Sequence, residues 1–366
     1  MGKEPLKEPL QPFTIIIMPW HPRNKYSWDF WFAWQGQTLH VFYLQASKFA
    51  CAYNADKRHN IASVGHAVLT DFGWKEINPD QPAFSSRDGN EWDNLSIWTG
   101  SIIELDSLYY FLYTARCKQD KWITTAYERR LPQNIGVAVS EDLNTWTRTP
   151  LSLDSPVIPI SGTNSDFLDG INWRDPYVIK DDTNGKFYAF ICAHPKNTSA
   201  DAGGIVAYAT STDLENWQEE PYRILYTSDE FLFLEVPQVF WRQMNDHNWR
   251  FYLLFSPRWS SFFNKNIPIG ITYYVRSQPI KDRTEVSYDS IPWESEPAKI
   301  LAVGSHGGKL IKPESVTNPV FFGFQYEDEA GHFVGGLTDA QRVTFALDGT
   351  IHLSEPQLLP TPVTGF

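Results

Sequence analysis

Short apolar segments, separated by clusters of glycine, proline, asparagine and aspartate, run along the whole of this 366-residue chain. Four of them are rich in aromatic and β-branched residues: LHVFYLQA (39–46), LYYFLYTA (108–115), KFYAFICA (186–193) and RFYLLFSP (250–257). Runs of this kind, bounded by turn-forming residues, are typical of buried β-strands. Because no long segment has the period of an amphipathic helix, the pattern predicts an all-β protein.

A second segment follows each of the first three runs and carries a repeated signature. In it a strand leads to an aspartate and then, three or four residues later, to a tryptophan. The aspartates are Asp71, Asp142 and Asp213, which lie 71 residues apart in both steps. Weaker copies begin at Gly270 and Gly335. A constant spacing indicates an internal repeat, in which we expect the aspartate to cap a turn and the tryptophan to pack between repeats.

About five such units fill the chain, and radial repetition of small antiparallel sheets produces a β-propeller. We therefore predict an N-terminal arm at residues 1–13 and a single five-bladed β-propeller over residues 14–366. A β-sandwich is the alternative for an all-β chain, but it does not account for the constant repeat spacing. The innermost strands of a propeller converge on a central channel, where we expect the active site.

Charge and cysteine content exclude several classes of protein. The formal net charge is −12 and the basic residues form no stripe, so nucleic acid is not an expected partner. Three widely spaced cysteines without a CxxC pair argue against a disulfide framework and a structural zinc site. The N-terminus has no apolar signal core, and TIIIM is too short to cross a membrane. We expect a cytoplasmic protein without membrane partner, metal or other cofactor, and leave its oligomeric state open.

Three carboxylates stand where the repeats differ, each near the start of an inner strand. Asp29 lies in YSWDFWFAWQ, Asp175 follows Arg174 in NWRDPYVI, and Glu235 lies in FLFLEVPQVFW. The Arg-Asp pair has a simple alternative interpretation, a turn with a local ion pair, and the proline after it predicts that a strand begins there.

Glu235 is the most informative of the three, because it interrupts an apolar run with no basic residue before Arg242. An unpaired glutamate in such surroundings should have a raised pKa, which suits a general acid. Two carboxylates perform glycoside hydrolysis, and a third can bind sugar hydroxyls. Tryptophans such as Trp28 and Trp31 would supply flat faces for a sugar ring. We therefore expect a small carbohydrate as substrate.

Five motifs, in chain order, resemble those of the five-bladed fructosidases of glycoside hydrolase family 32 and the related levansucrases of family 68. LHVFYLQA resembles a strand ending in Phe-Tyr-Gln, and GHAVLTDFGWKEINP resembles the family's Gly-His-Ala segment. WTGS (98–101) resembles Trp-Ser-Gly-Ser, WRDP (173–176) matches Arg-Asp-Pro, and LEVPQVF (234–240) resembles the Glu-Cys-Pro segment. The resemblance extends from about residue 15 to about residue 345.

This resemblance implies a role for each candidate residue. Asp29 would be the nucleophile, Glu235 the acid and base, and Asp175 the stabiliser of the oxocarbenium-like transition state. Arg174 would pair with neighbouring carboxylates or contact the substrate. The remaining implied contributors to the sugar-binding floor are Gln45, Trp98 and Ser101.

The resemblance implies a retaining β-fructofuranosidase acting on sucrose or short fructo-oligosaccharides, with fructosyl transfer as a further activity. The Asn-Asp-Pro-Asn-Gly stretch usual around the family 32 nucleophile is absent, and SWDFW is closer to the Trp-Asp-Ser-Trp form of the levansucrases. Two alternatives stay open: an inverting arabinofuranosidase or xylosidase on the same scaffold, and a carbohydrate-binding propeller without catalysis. Carboxyl groups about 5–5.5 Å apart indicate retention, and about 6.5–9.5 Å indicates inversion.

Overall fold

A computed structural model describes most of the chain. The described residues are 19–118, 131–159, 168–196, 203–217, 223–258, 270–313 and 319–356. The N-terminal arm predicted at residues 1–13 lies outside them. None of the described helices has the length and apolar character needed to cross a bilayer.

Five sheets, each assembled from consecutive antiparallel strands, make up the structure. The first contains β1 (Lys25–Gln35), β2 (Thr38–Ser47), β3 (Ser63–Thr70) and β4 (Gly73–Glu76). The second contains β5 (Ser96–Leu105), β6 (Leu108–Arg116), β7 (Gln133–Ser140) and β8 (Thr147–Arg148), followed by helix α1 (Pro150–Asp154). The third contains β9 (Leu168–Asp181), β10 (Lys186–Pro195), β11 (Ile205–Ser211) and β12 (Arg223–Thr227).

The fourth sheet contains β13 (Phe233–Gln243), β14 (Trp249–Arg258), β15 (Ile271–Arg276) and β16 (Lys299–Val303). The fifth contains β17 (Ser305–Ile311), β18 (Val320–Glu327), β19 (Phe333–Leu337), β20 (Gln341–Phe345) and β21 (Ile351–Leu353). Short 3-10 helices occupy Ala55–Asn60, Arg283–Glu285 and Tyr288–Ser290.

The first strand of each sheet faces the centre of the molecule. Neighbouring first strands contact one another in a closed ring, in the order β1, β5, β9, β13, β17 and back to β1. The fold is therefore a five-bladed β-propeller, and the predicted fold class is confirmed. The four apolar runs seen in the sequence are the second strands of blades one to four, which are almost entirely buried.

The repeated aspartate caps a turn in the second and third blades, as its position in the sequence predicts. In the first blade the hydroxyl of Thr70, beside Asp71, takes this role by accepting from the Phe72 N–H. The Oδ1 atom of Asp142 accepts hydrogen bonds from the backbone N–H groups of Asn144 and Thr145, both at 2.8 Å. Asp213 makes the same pair of bonds two and three residues downstream, at 3.0 and 2.7 Å. Each cap satisfies backbone donors in the hairpin between the third and fourth strands of its blade.

The repeated tryptophan packs between blades. Trp146 contacts Phe42 of the first blade and Phe111 of its own, with ring centroids 5.8 and 5.5 Å away. Trp74 occupies the equivalent place between Phe32 and Phe322, which joins the first blade to the fifth. Buried aromatic pairs stabilise the folded protein by more than their buried area alone accounts for. The repeated tryptophan therefore stabilises each interface between blades at which it recurs.

The fifth blade departs from the repeat and closes the ring. Its third-strand position is divided between β19 and β20, which both pair with β18. The backbone N–H and C=O of Trp20 form reciprocal 2.8 Å hydrogen bonds with Leu337 at the end of β19. Gly335 allows β19 to lie close to β1, since a Cβ atom at this position would lie 2.2 Å from the Ser27 carbonyl oxygen. The start of the described chain is thereby fastened to its last blade.

Ring closure should depend on Gly335. Gly331 and Gly335 have similar positive φ angles, +80° and +75°, but a Cβ atom at Gly331 would meet open space. Gly331→Ala should therefore cost only the left-handed strain, about 1 kcal/mol of unfolding free energy. Gly335→Ala should cost about 3 kcal/mol or more, because it adds a backbone clash. Urea unfolding of both variants measures the difference, and equal losses would contradict a tight closure at this point.

Candidate active site

A β-bulge interrupts the pairing of every inner strand at the same depth in the channel. The residues left out of the pairing register are Asp29 in β1, Thr99 in β5, Asp175 and Pro176 in β9, Val236 and Pro237 in β13, and Gly307 and Gly308 in β17. Bulges break the alternation of a strand and re-aim side chains. Here they direct polar groups of five strands toward one place.

Several of these bulge residues have left-handed backbone conformations. The φ angle is +46° at Asp29, +59° at Asp175 and +51° at Val236. Such angles are unfavourable for residues with a Cβ atom, and within strands strained positions of this kind cluster at functional sites. The expectation that a strand begins at the Arg-Asp-Pro motif is wrong: β9 begins at Leu168, and the proline lies inside it. Proline is accommodated because β9 is an edge strand and the bulge leaves this position unpaired.

Asp29 receives a short hydrogen bond from the Thr99 hydroxyl at its Oδ2 atom. Burial raises the pKa of the Asp29 carboxyl group, and the charge of Glu235 raises it further. His306 and the Thr99 hydroxyl act in the opposite direction, because both stabilise the carboxylate. Asp29 is thus a buried carboxyl group held by neighbours from two other blades.

Asp175 is 5% exposed and is held on both sides. Its Oδ2 atom accepts a 3.1 Å hydrogen bond from the backbone N–H of Val236 and lies 3.6 Å from Nε of Arg174. Burial raises the pKa of Asp175 to about 7, Arg174 opposes this shift, and the charges of Asp29 and Glu235 add to it. Asp175 is therefore poised to gain or lose a proton near neutral pH.

Glu235 is paired, so the expectation of an unpaired glutamate is wrong. Its Oε1 atom lies 2.8 Å from Nη2 of Arg174, and its Oε2 atom lies 3.5 Å from Nε2 of His306. Both partners come from neighbouring blades, which a search along the chain for basic residues does not find. The Glu235 side chain keeps 17% of its surface exposed in the channel.

Arg174 links the carboxylates, as the resemblance implied. Besides Glu235 and Asp175, its Nη1 atom donates to Asn172 Oδ1 at 2.8 Å and to Gln133 Oε1 at 3.2 Å. Its guanidinium carbon lies 4.6 Å from the centroid of the Phe233 ring. With so many partners the guanidinium is fixed in one orientation, which a planar multi-donor group is well suited to maintain.

Three residues that the sequence analysis missed complete the channel: Thr99, His306 and Lys309. Lys309 is 6% exposed, and its Nζ atom donates to the carbonyl oxygens of Val236 at 2.9 Å and Pro237 at 2.8 Å. His306 and Lys309 lie on β17, whose position as an inner strand was not recognised from the weak fifth repeat. The charged residue beside the Gly307–Gly308 pair was the available signal.

Trp28 and Trp31 lie in the core, which corrects their assignment to the sugar-binding site. Each side chain is only 3% exposed. The Trp31 ring is stacked between Phe42 and Phe111, with centroids 6.4 and 5.5 Å away. Trp28 packs edge-on against His59 at 5.7 Å. An aromatic ring that is covered on both faces has no face left to stack against a sugar ring.

The other expected binding residues differ in their access to the channel. The Ser101 hydroxyl donates to the Pro176 carbonyl at 2.8 Å and accepts from the Val178 N–H at 2.9 Å, so it holds β9 in place. Gln45 is 4% exposed, and within the described residues its Oε1 atom has no hydrogen-bond partner. Trp98 is half-buried, with its indole N–H bonded to the His59 carbonyl at 2.9 Å. Trp98 is the one that retains an accessible surface beside Thr99.

No group of three or more histidine, cysteine, aspartate or glutamate side chains is arranged to hold a metal ion in the part of the chain that the structure describes. What converges here is a set of three carboxylates with an arginine, a lysine and a histidine among them. Such a set can donate a proton, accept one and attack an electrophilic carbon.

Comparison with known proteins identifies relatives of this fold and channel. The family model described as the glycosyl hydrolases family 32 N-terminal domain matches residues 35–301, more than half of the chain. No curated protein sequence matches. A Bombyx mori family 32 β-fructofuranosidase, also solved as a variant with sucrose, has a TM-score of 0.59 and 15% identity, covering 91% of this chain and 66% of that one.

Two further solved structures are similar. A sucrose-6-phosphate hydrolase from Lactobacillus gasseri has a TM-score of 0.62 and 15% identity, covering 92% of this chain and 64% of that one. A Bacillus subtilis levansucrase in complex with oligosaccharides has a TM-score of 0.60 and 12% identity, covering 97% and 92%. The chain spans less than two thirds of the length of the two hydrolases. At these identities the likeness shows the fold.

Asp175 should destabilise the folded protein when it is ionised. Its folded-state pKa of about 7 exceeds the ordinary value of 3.8, so the folded state binds the extra proton between about pH 4 and 7. Stability therefore falls as the pH rises through this window. Asp175→Asn should raise the unfolding free energy at pH 8 by on the order of 1 kcal/mol, and the gain should vanish toward pH 4. Urea unfolding at both pH values measures it.

Asp93 supplies the matched control. It is fully buried and forms 2.6 Å ion pairs with Arg87 and Arg148 on the second blade. Asp93→Asn should lower the unfolding free energy at pH 8 by about 3 kcal/mol, since it leaves arginines without their partner. If Asp175→Asn behaved in the same way, Asp175 would be a structural ion-pair partner and nothing more.

Proposed function

Since the chain belongs to glycosyl hydrolase family 32, we propose that it is a glycosidase that cleaves β-fructofuranosides, sucrose or short fructo-oligosaccharides, by a retaining double displacement. The observation that carries this proposal is the convergence of Asp29, Asp175 and Glu235 from three inner strands on one channel. The names of the similar structures support the substrate class, because they include a β-fructofuranosidase solved with sucrose.

Asp29 acts as the nucleophile. Its carboxylate attacks the anomeric carbon of the fructosyl unit and forms a covalent fructosyl-enzyme. The Thr99 hydroxyl and His306 favour the ionised form that this attack requires, against the effect of burial. The hydrogen bond to Oδ2 also fixes the rotation of the carboxyl group and leaves Oδ1 for the sugar.

Glu235 acts first as acid and then as base. It protonates the glycosidic oxygen as the bond to the leaving group breaks, and it becomes a carboxylate. Arg174, 2.8 Å away, stabilises that product of the first step. In the second step the same carboxylate accepts a proton from the water, or from the sugar, that attacks the intermediate.

Asp175 stabilises the positive charge that develops on the sugar in the transition state. In the free enzyme the charge of Asp29 raises its pKa. Arg174 acts in the opposite direction and favours the carboxylate. A carboxylate interacts more strongly with the positively charged sugar of the transition state than with the neutral substrate, which is the requirement for catalysis rather than mere binding.

Sugar release from a panel of glycosides tests this function. The panel is sucrose, raffinose, short inulin, and nitrophenyl arabinofuranoside and xyloside, assayed with the wild type, Asp29→Asn and Glu235→Gln. We expect fructose from the first three substrates. Each variant should lose about 10³-fold or more in kcat on sucrose, because each lacks a group that acts on the reacting bond. Glu104→Gln, at an exposed position on β5, is the control and should match the wild type.

Stereochemistry separates the two displacement mechanisms. Methanol added to the reaction competes with water for the intermediate, and NMR identifies the anomer of the methyl fructoside. Retention gives the β-anomer, and inversion would contradict the double displacement. Release of pentose alone would mean that the substrates are arabinofuranosides or xylosides, cleaved in the same channel. No release from any substrate would favour a carbohydrate-binding propeller.

A further inference from the structure

A buried lysine holds the bulge that carries the proposed acid and base. Lys309 reaches from β17 to β13, where its Nζ atom donates to the successive carbonyl oxygens of Val236 and Pro237 at 2.9 and 2.8 Å. These two residues form the β13 bulge, where they face a single residue of β14, and they directly follow Glu235. In the described part of the chain no salt bridge to Lys309 is formed, so carbonyl groups rather than a carboxylate fix the ammonium group.

Holding the two blades together does not require this lysine. The side chain of Gln238 already joins the same strands, because its Nε2 donates to the Leu310 carbonyl at 2.8 Å and its Oε1 accepts from the Leu310 N–H at 2.7 Å. A buried lysine is costly compared with an apolar residue of similar size. Because the uncharged Gln238 side chain already joins the two strands, the presence of a buried lysine indicates a function in the bulge itself.

Val236 is the residue that Lys309 constrains. It is β-branched, yet its φ angle is +51°, a conformation that such a residue rarely adopts. Its N–H donates to Asp175 Oδ2 at 3.1 Å, and its C=O accepts from Lys309. Groups from β9 and β17 thus hold the peptides on either side of one strained Cα atom. The direction of the adjacent Glu235 side chain follows from that conformation.

We propose that Lys309 is a positioning residue, which holds the Val236–Pro237 bulge so that Glu235 and Asp175 keep their working geometry. This inference rests on the proposed function, since it concerns the acid and base of that reaction. The charged and titratable groups that face Nζ are Asp29 on β1, Asp175 on β9 and Tyr177, whose ring centroid lies 5.2 Å away.

The two hydrogen bonds from Lys309 to the bulge form whether or not the lysine is charged. Burial lowers the pKa of Lys309 to about 7, and Asp175 and Asp29 act in the opposite direction. An ammonium group has three N–H donors and a neutral amine has two. Two carbonyl oxygens need only two donors, so loss of the proton near neutral pH leaves both hydrogen bonds in place.

Lys309→Met tests the proposal by removing the N–H donors while keeping an unbranched side chain, one atom shorter than lysine. We expect kcat on the best panel substrate to fall about 100-fold, because displacement of a catalytic group by about 1 Å has an effect of this size. KM should change by no more than about threefold, since the bulge acts through Glu235 and Asp175 on the transition state. The thermal midpoint, measured in parallel, reports folding.

Lys309→Gln is the second variant and Lys312→Met the control. Glutamine is neutral, keeps two N–H donors and is one atom shorter, so kcat should fall about tenfold, between the wild type and Lys309→Met. If Lys309→Met does not fold, this tenfold loss at unchanged KM is the deciding result. Lys312 follows the same strand, with its Nζ 4.4 Å from the Trp34 ring centroid, and its loss should leave kcat unchanged.

Opposite results have distinct meanings. A folded Lys309 variant with wild-type kcat would overturn the proposal, as would equal losses in the glutamine and methionine variants, because the hydrogen bonds would then be irrelevant. In both cases an active wild type and inactive Asp29→Asn would leave the proposed function standing. A wild type that cleaves no glycoside would overturn the proposed function and this inference with it.

Discussion

Mutual repulsion between three carboxylates in one narrow channel is the constraint that organises this molecule. Burial makes each charge costly, and the pKa values of Asp29 and Asp175 are raised both by burial and by their acidic neighbours. A site of this kind forms only if other parts of the chain supply compensation. Arg174 and Lys309 supply positive charge and the Thr99 hydroxyl donates a hydrogen bond, so groups from all five inner strands contribute to the channel.

Backbone strain is the second cost of the site, and packing between blades offsets it. Left-handed angles at Asp29, Asp175 and Val236 each cost about 1–2 kcal/mol. Aromatic rings such as Trp146, placed between Phe42 and Phe111, fix the blades in register at a distance from the channel. Since the strained residues lie on inner strands that are paired on one side only, contacts across the channel also hold the bulges, as those of Lys309 and Asp175 do in β13.

The fold was more predictable from the sequence than the site, and the reason is physical. Repeat spacing and strand runs report local constraints, so five blades and the positions of Asp29, Asp175 and Glu235 on inner strands could be inferred. Pairing across blades leaves no local signal, which is why Glu235 seemed to have no partner. Trp28 and Trp31 flank a carboxylate in sequence, but both rings lie in the core, because the bulge at Asp29 breaks the alternation of β1. Adjacency in a strand therefore argues against a shared face.

Two of the three residues that were missed share one location, and that location explains why they were missed. His306 and Lys309 lie in the fifth blade, where the repeat is weakest because this blade also closes the ring. Closure divides the third strand of this blade and brings β19 against the start of the described chain. The sequence of the fifth blade must therefore satisfy contacts that no other blade makes. The same freedom from the repeat allows β17 to carry Gly307, which borders Asp29, together with Gly308 and a lysine long enough to reach β13. In a propeller of this kind, the closing blade is where repetition constrains the inner strand least, and it is therefore a favourable place for residues that adjust the chemistry of the others.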